Sequence, residues 1–365
     1  EGAGEAPPPP AEVGNSHLAL PVEGDPNGKR QYLTPLLLLA VAPSLGAAPT
    51  EIVTGLACAA ALWVGRRSLG SALAPMLGLT LAFALAATGP LAGLPREILA
   101  MPWSLAPLLL VPALASARPA LVERAGLAVA AGIALFAVGQ RLLDLPPVGL
   151  TGHHLSLGYG LLPPLAVALH RRRTGHALAL LAGVLASGGQ GPLLSAAIVL
   201  LGARLLPPGL ALTLGAAAAL AVIGVGEAIG NEELQTRAML WRSGAELALQ
   251  HPFGTGGNFR PLLALVQARL DPDFHFPLHA HDGYLQLALR AGFGGLLALA
   301  WLLSRLWTAA DRAGRAALAG LLVGALTQDL FGDLLVARAM AFWLAWSALS
   351  PEPLAPSDVG SSKPE

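Results

Sequence analysis

Cysteine is almost absent: Cys58 is the single thiol in a chain of 365 residues. One thiol inside an apolar block excludes an intrachain disulfide and a thiolate metal cluster, and its plainest reading is a small core hydrophobe. Charge is scarce too. Asp, Glu, Lys and Arg make up 12% of the residues, against about 25% in an ordinary soluble domain. Too little polar surface exists to cover a water-soluble globule. Lys+Arg and Asp+Glu number 22 each, so the formal net charge is zero, and no overall basic field invites nucleic acid. The charged-then-apolar layout of a signal peptide is missing from residues 1–30. Rich in Pro, Gly and acid, that stretch reads as a disordered tail, and residues 351–365 read the same way.

What is abundant is apolar mass. Hydrophobic residues reach 54%, and the mean hydropathy is +0.62. Apolar blocks fall at about 33–49, 51–65, 71–89, 98–117, 121–139 and 155–169, then at 176–188, 192–206, 209–229, 284–303, 315–330 and 334–350. Blocks of this length separated by short charged breaks predict an all-α polytopic membrane protein with about 12 transmembrane helices, one domain over residues 31–350. Many blocks are rich in Ala and Gly, which suits close helix approach in lipid.

Basic residues orient the chain. Lys29/Arg30, Arg66/Arg67, Arg118/Arg124, Arg171–Arg173, Arg204 and Arg305/Arg312/Arg315 occupy alternate breaks. Twelve spans put all of these clusters on one side, the cytoplasmic side, with both termini. The other breaks face outward: 90–97, 140–154, 187–191, 230–283 and 328–333. The 230–283 loop is too long for a mere connector. It carries Arg237, Arg242, Arg260 and Arg269 on the outer side, against the trend of the rest of the chain.

Within that loop, "NEELQTRAMLWRSGAELALQ" (231–250) has helical spacing, with Leu234, Ala238, Trp241, Ala245 and Ala248 on one face. It predicts an amphipathic helix lying on the membrane surface. Arg237 and Trp241 stand one turn apart on it. "HPFGTGGNF" (251–259) then breaks the helix. "HFPLHAHDGYLQLALRAGFGG" (275–295) follows, with three histidines before an apolar run. Asp282 is placed to cap a helix starting near Tyr284. The free N–H groups of such a helix end favour an anion.

Arg290 falls inside the span. An intramembrane arginine is either a functional group or the partner of Asp329 or Asp333. His281 has the right unperturbed pKa, about 6.5, to accept a proton near neutrality. A backbone-bonded surface histidine is the plainer alternative. His275, His279 and His281 together spell a weak metal pattern, and we expect no metal and no other cofactor.

The sequence resembles the bacterial O-antigen ligase/polymerase family. Three elements carry the resemblance: the Arg237–Trp241 spacing, the "HPFGTGGNF" turn and "HAHDGYLQLALRAGFGG" entering a helix. More loosely, "GLTGHHLSLGYGLLPPLA" (149–166) is similar to an outward Gly/His segment of that family, and "LTQDLFGD…FWLAW" (326–346) to its C-terminal spans. The resemblance implies a GT-C-like glycosyltransferase of the bacterial inner membrane with its active site on the periplasmic side. Such an enzyme moves a glycan from undecaprenyl pyrophosphate to an acceptor hydroxyl. The acceptor is a lipid A–core sugar in ligases and another lipid-linked glycan in polymerases.

Carried over by residue, His281 is the general base and Arg237 holds the donor pyrophosphate. Where the family has Asn after the histidine, this chain has Asp282. Where it has an arginine in an outward turn, this chain has Gln190. A second phosphate-binding guanidinium must then come from Arg141, Arg260 or Arg290. Trp241, His279 and His154 complete the expected substrate-binding set. A transporter is the rival reading, since twelve spans and broken helices suit many carriers.

Overall fold

The computed structural model describes residues 119–149, 151, 153–255, 264, 281–331 and 333–349. Those residues are all-helical, without a strand among them. The four blocks expected between 33 and 117, both tails, Arg260, His275 and His279 lie outside the described residues.

Among the described residues ten α-helices follow in order, the fifth continued by a π-helical turn over Leu201–Leu205. They are α1 (Pro119–Leu142), α2 (His154–Gly160), α3 (Leu162–His170), α4 (Thr174–Ser187), α5 (Gln190–Leu200), α6 (Pro208–Ala228), α7 (Glu232–Gln250), α8 (Gly283–Ala309), α9 (Arg312–Ala325) and α10 (Leu334–Leu349). Three of them are long and apolar enough to cross a membrane: α1 over Glu123–Leu142, α6, and α8 with 27 residues.

Local chemistry sets the ends. Gly188, at φ 70°, ends α4 in the left-handed cap that glycine adopts without penalty. Asn231 caps α7 by accepting from Leu234 N at 3.1 Å, with Glu232 and Glu233 in the first turn to complement the helix dipole. The block expected as one span over 155–169 is two helices. Leu161 separates them, and Pro163 and Pro164 open α3, where missing N–H groups cost nothing. The expected 315–330 block ends as helix at Ala325, and the 284–303 block continues to Ala309.

Helix α9 is the centre of the bundle. It is buried nearly all round and packs on α3, α5, α6, α8 and α10. Its small residues permit that closeness: a Cβ on Gly320 would stand 2.8 Å from the Ser195 carbonyl oxygen. Around it, buried leucines, alanines, Phe342 and Trp346 form one continuous core.

The bundle has two poles. At one, Arg171 reaches Glu123 at 3.7 Å and Asp311 at 4.0 Å. Arg312 donates to the Gly202 and Leu206 carbonyls at 3.1 Å each, and Arg204 lies 3.4 Å from the Leu169 carbonyl. Of the basic residues expected on one side, Arg171, Arg204 and Arg312 are thus gathered at one end of the described bundle, while Lys29, Arg30, Arg66, Arg67 and Arg118 lie outside the described residues. The opposite pole holds the α4–α5 turn, the start of α8 and residues 326–333.

The amphipathic helix α7 differs from expectation in what it covers. It docks on α6 and α8 rather than resting on the membrane surface alone. Its buried residues are Ala238, Leu240, Ser243, Gly244, Leu247 and Ala248, and Ala245 is exposed. Contact with two helices rotates the buried stripe toward Leu240 and Leu247, which pack on Ala288 and Leu289 of α8.

Candidate functional site

The second pole is organised by the non-helical stretch between α9 and α10, "LTQDLFGD". Of the polar side chains singled out from the sequence, Arg237 and Arg290 contact it directly. Arg237, on α7, donates from Nη1 to the Thr327 carbonyl at 2.8 Å and from Nη2 to Glu233 at 2.9 Å. Glu233 is 70% exposed, so that ion pair is screened and worth little. The carbonyl of Thr327 positions the guanidinium, whose five N–H donors leave others for a ligand.

Thr327 also anchors Tyr159. Its hydroxyl donates to the Gly324 carbonyl at 3.0 Å, so at 3.3 Å the fully buried Tyr159 hydroxyl is the donor to Thr327 Oγ1. The start of α5 presses on the same pair: a Cβ on Gly191 would lie 2.1 Å from the Tyr159 oxygen. Gln190, one residue earlier, begins α5 with its side chain exposed.

The two carboxylates of the stretch have separate partners. Asp329 lies 3.6 Å from Arg290, with both side chains largely buried. Asp329 is one of the two partners weighed for that arginine from the sequence. Asp333 accepts from Ser156 and caps α10 through Val336 N at 3.2 Å. Phe331 packs edge-on against Tyr284, whose hydroxyl donates to the Leu322 carbonyl at 3.0 Å.

Asp282 caps α8 as its sequence position implies, accepting from Leu285 N at 2.8 Å. It is only 5% exposed. Burial pushes its carboxyl up to about 6, aided by Asp329, against the opposing pull of the Leu285 and Tyr284 amides. His281, immediately before it, is half-buried and holds φ at 51°. Left-handed backbone at a non-glycine residue costs on the order of 1 kcal/mol and collects at functional sites.

A second feature explains the glycines of the resembled motifs. Helix α8 breaks at Gly292, with φ 66° and ψ −171°. The 251–255 turn fills the break: Phe293 N donates to the Pro252 carbonyl at 2.9 Å, and Thr255 N and Oγ1 donate to the Leu289 carbonyl at 2.5 and 2.9 Å. A Cβ on Gly254 would stand 2.6 Å from Gly292 N, and one on Gly292 would stand 2.3 Å from the Pro252 oxygen. Both residues must be glycine for the turn to seat.

The remaining candidates sit at varying distance from this cluster. His154, exposed at the start of α2, stacks on His153 with ring centroids 4.7 Å apart. Partial burial, and then the neighbouring His153, hold its imidazole below the ordinary value. Trp241 lies one turn beyond Arg237, and its buried indole N–H finds no acceptor among the described residues. Arg141 stands exposed in the last turn of α1, without a described contact to this cluster. Among the described residues no three His, Cys, Asp or Glu side chains group closely enough to hold a metal ion.

Sequence reasoning named the arginines and His281 but overlooked Tyr159, Ser156 and Thr327. One signal was present: two aspartates and a threonine inside an otherwise apolar stretch. The stretch gathers two guanidinium groups of a kind suited to phosphate oxygens, Arg237 and Arg290, and His281 precedes a capping carboxyl raised to about 6. Neither a protein-family model nor a curated protein sequence matches this chain.

Proposed function

We propose that this chain is a polytopic inner-membrane glycosyltransferase of the O-antigen ligase/polymerase kind, with about 12 spans and a GT-C-like plan. It takes a glycan from undecaprenyl pyrophosphate at the periplasmic face and joins it to a hydroxyl, preferentially of a lipid A–core sugar. Transfer to another lipid-linked glycan, the polymerase reaction, is the variant reading of the same site. One observation carries the proposal. Arg237, Arg290 and Tyr159, far apart in sequence and each within a resembled segment, meet Thr327 or Asp329 of the non-helical stretch between α9 and α10.

The chemistry follows from those groups. The acceptor oxygen attacks the anomeric carbon as the bond from that carbon to the pyrophosphate oxygen breaks, inverting the centre. Its proton passes to His281. Undecaprenyl pyrophosphate leaves with the bonding electrons, and its growing charge is met by Arg237. A second guanidinium comes from Arg290, Arg260 or Arg141. Gln190, Trp241, His279, Asp282 and His154 line the substrates. Pyrophosphate is already a good leaving group, so positioning and charge stabilisation supply most of the rate, and the scheme calls for no metal or other cofactor.

A carrier is the second reading, favoured by one observation: a broken helix with a charge pair, Arg290–Asp329, beside the break. One experiment separates the two. Purified protein in vesicles is given undecaprenyl-pyrophosphate-linked glycan and an acceptor, and free undecaprenyl pyrophosphate is measured. The transferase reading expects its release, lowered about 100-fold or more in Arg237→Ala and less in Arg237→Lys, which keeps the charge but loses the fork. Movement of glycan across the membrane without release supports the carrier and sinks the transferase.

A further inference from the structure

A groove that runs along the bundle from the cationic pole has no part in that chemistry. Its cavity of about 660 Å³ lies between α4 and α5 with α3 as its floor. Leu165 and Ala168 form the floor, Leu181 and Leu185 one wall, and Leu193 and Leu200 the other. The walls are open to the outside, Leu185 being 58% and Leu200 43% exposed. Arg172, Thr174 and Arg204 close one end of the groove.

The two arginines are not used up by the fold. Their neighbour Arg171 is held by Glu123 and Asp311. Arg204 has only a long 3.4 Å bond to the Leu169 carbonyl, and Arg172 has no ion pair or hydrogen bond through its side chain among the described residues. Arg172 also sits in left-handed backbone at φ 54°. The first turn of α4 begins at Thr174 without a side-chain cap, adding its partial positive charge at the same spot. Helix α4, at 14 residues, is about 21 Å long, so the groove beside it exceeds the ~15 Å depth of one leaflet's hydrocarbon.

We infer that this groove binds one anionic glycerophospholipid of the leaflet facing the arginine loops. Its phosphate lies between Arg172 and Arg204, and an acyl chain fills the apolar channel between α4 and α5. Cationic pockets between spanning helices on that side of a membrane recruit anionic headgroups for the same physical reason. The polyprenyl donor is not the occupant chosen, because its pyrophosphate belongs with the guanidinium groups of the opposite pole. The inference needs the helices to stand in a membrane but does not rest on the transferase reading.

The test uses the full chain, delipidated in detergent. Palmitoyl-oleoyl phosphatidylglycerol, the matching phosphatidylcholine and inorganic phosphate are titrated separately, reading unfolding temperature and lipid retained in native mass spectrometry. Phosphatidylglycerol raises the unfolding temperature and stays bound, phosphatidylcholine does so more weakly, and phosphate does neither. Arg172→Gln with Arg204→Gln weakens phosphatidylglycerol about tenfold or more and leaves phosphatidylcholine unchanged. Ala197→Trp, which fills the groove, lowers retention of both lipids. Equal effects of the two lipids on the wild-type chain overturn the inference, whether or not the variants fold. So do stabilisation by inorganic phosphate, undiminished binding to the double variant, or undiminished retention by Ala197→Trp.

Discussion

Asp282 holds the first turn of α8 with the same carboxyl that stands next to His281. Its pKa, lifted from an ordinary 3.8 to about 6 by burial, makes that cap pH-dependent. Between those values the folded chain binds the proton more tightly than the unfolded one. Stability is therefore lost as pH rises through the window, and the loss is complete above about 6. Asn caps a helix as well as Asp does and carries no charge to bury. Asp282→Asn is expected to be more stable than wild type at pH 7.5 by roughly 1–2 kcal/mol, with the gain gone by about pH 4. Unfolding in detergent at the two pH values measures this, and an equal gain at both contradicts it. Legibility at this scale was uneven. Asp282 as a cap and Arg290 with an aspartate partner followed from sequence position and the cost of lone charge in lipid. That Thr327 orients both Arg237 and Tyr159 did not, because a carbonyl carries no residue-type signal.

The helix break at Gly292 and the 251–255 turn form one element made from two distant pieces of chain. Gly292→Ala places a methyl group 2.3 Å from the Pro252 oxygen at positive φ, with an expected cost of about 2–4 kcal/mol. Gly254→Ala meets backbone at 2.6 Å and acts in the same direction. Gly132, in α1, has nothing within 4 Å of its would-be Cβ, so Gly132→Ala is expected to be neutral or slightly stabilising. Hydrogen exchange at the Thr255 and Phe293 amides separates the cases. It rises in the first two variants and not in the third. Protected amides in Gly292→Ala contradict the seated turn. Apolar periodicity located five of the blocks within a few residues of the observed helices, but it merged α2 with α3 because hydropathy does not register the break at Leu161. The rotated face of α7 was hidden for a related reason: a helix packing on two partners buries a stripe that its own pattern does not define.

Two poles, one cationic and one built on residues 326–333, characterise the whole bundle. The first was legible in the sequence, since basic clusters at alternate breaks must share a side if each block crosses once. The second was legible only in parts, because what unites those parts is tertiary packing around α9. With Cys58→Ala as background, Arg172→Cys and Gln190→Cys, both exposed, are expected to react with an impermeant thiol reagent from opposite sides of sealed vesicles. Labelling of both from the same side contradicts the two-pole arrangement across a membrane.

The most direct measurement of the central claim is the rate of glycan transfer by His281→Ala in reconstituted vesicles, alongside its unfolding temperature and its binding of the lipid-linked donor. A general base in this position predicts transfer falling by roughly 100- to 10,000-fold while folding and donor binding stay near wild type. Transfer within a few-fold of wild type contradicts it.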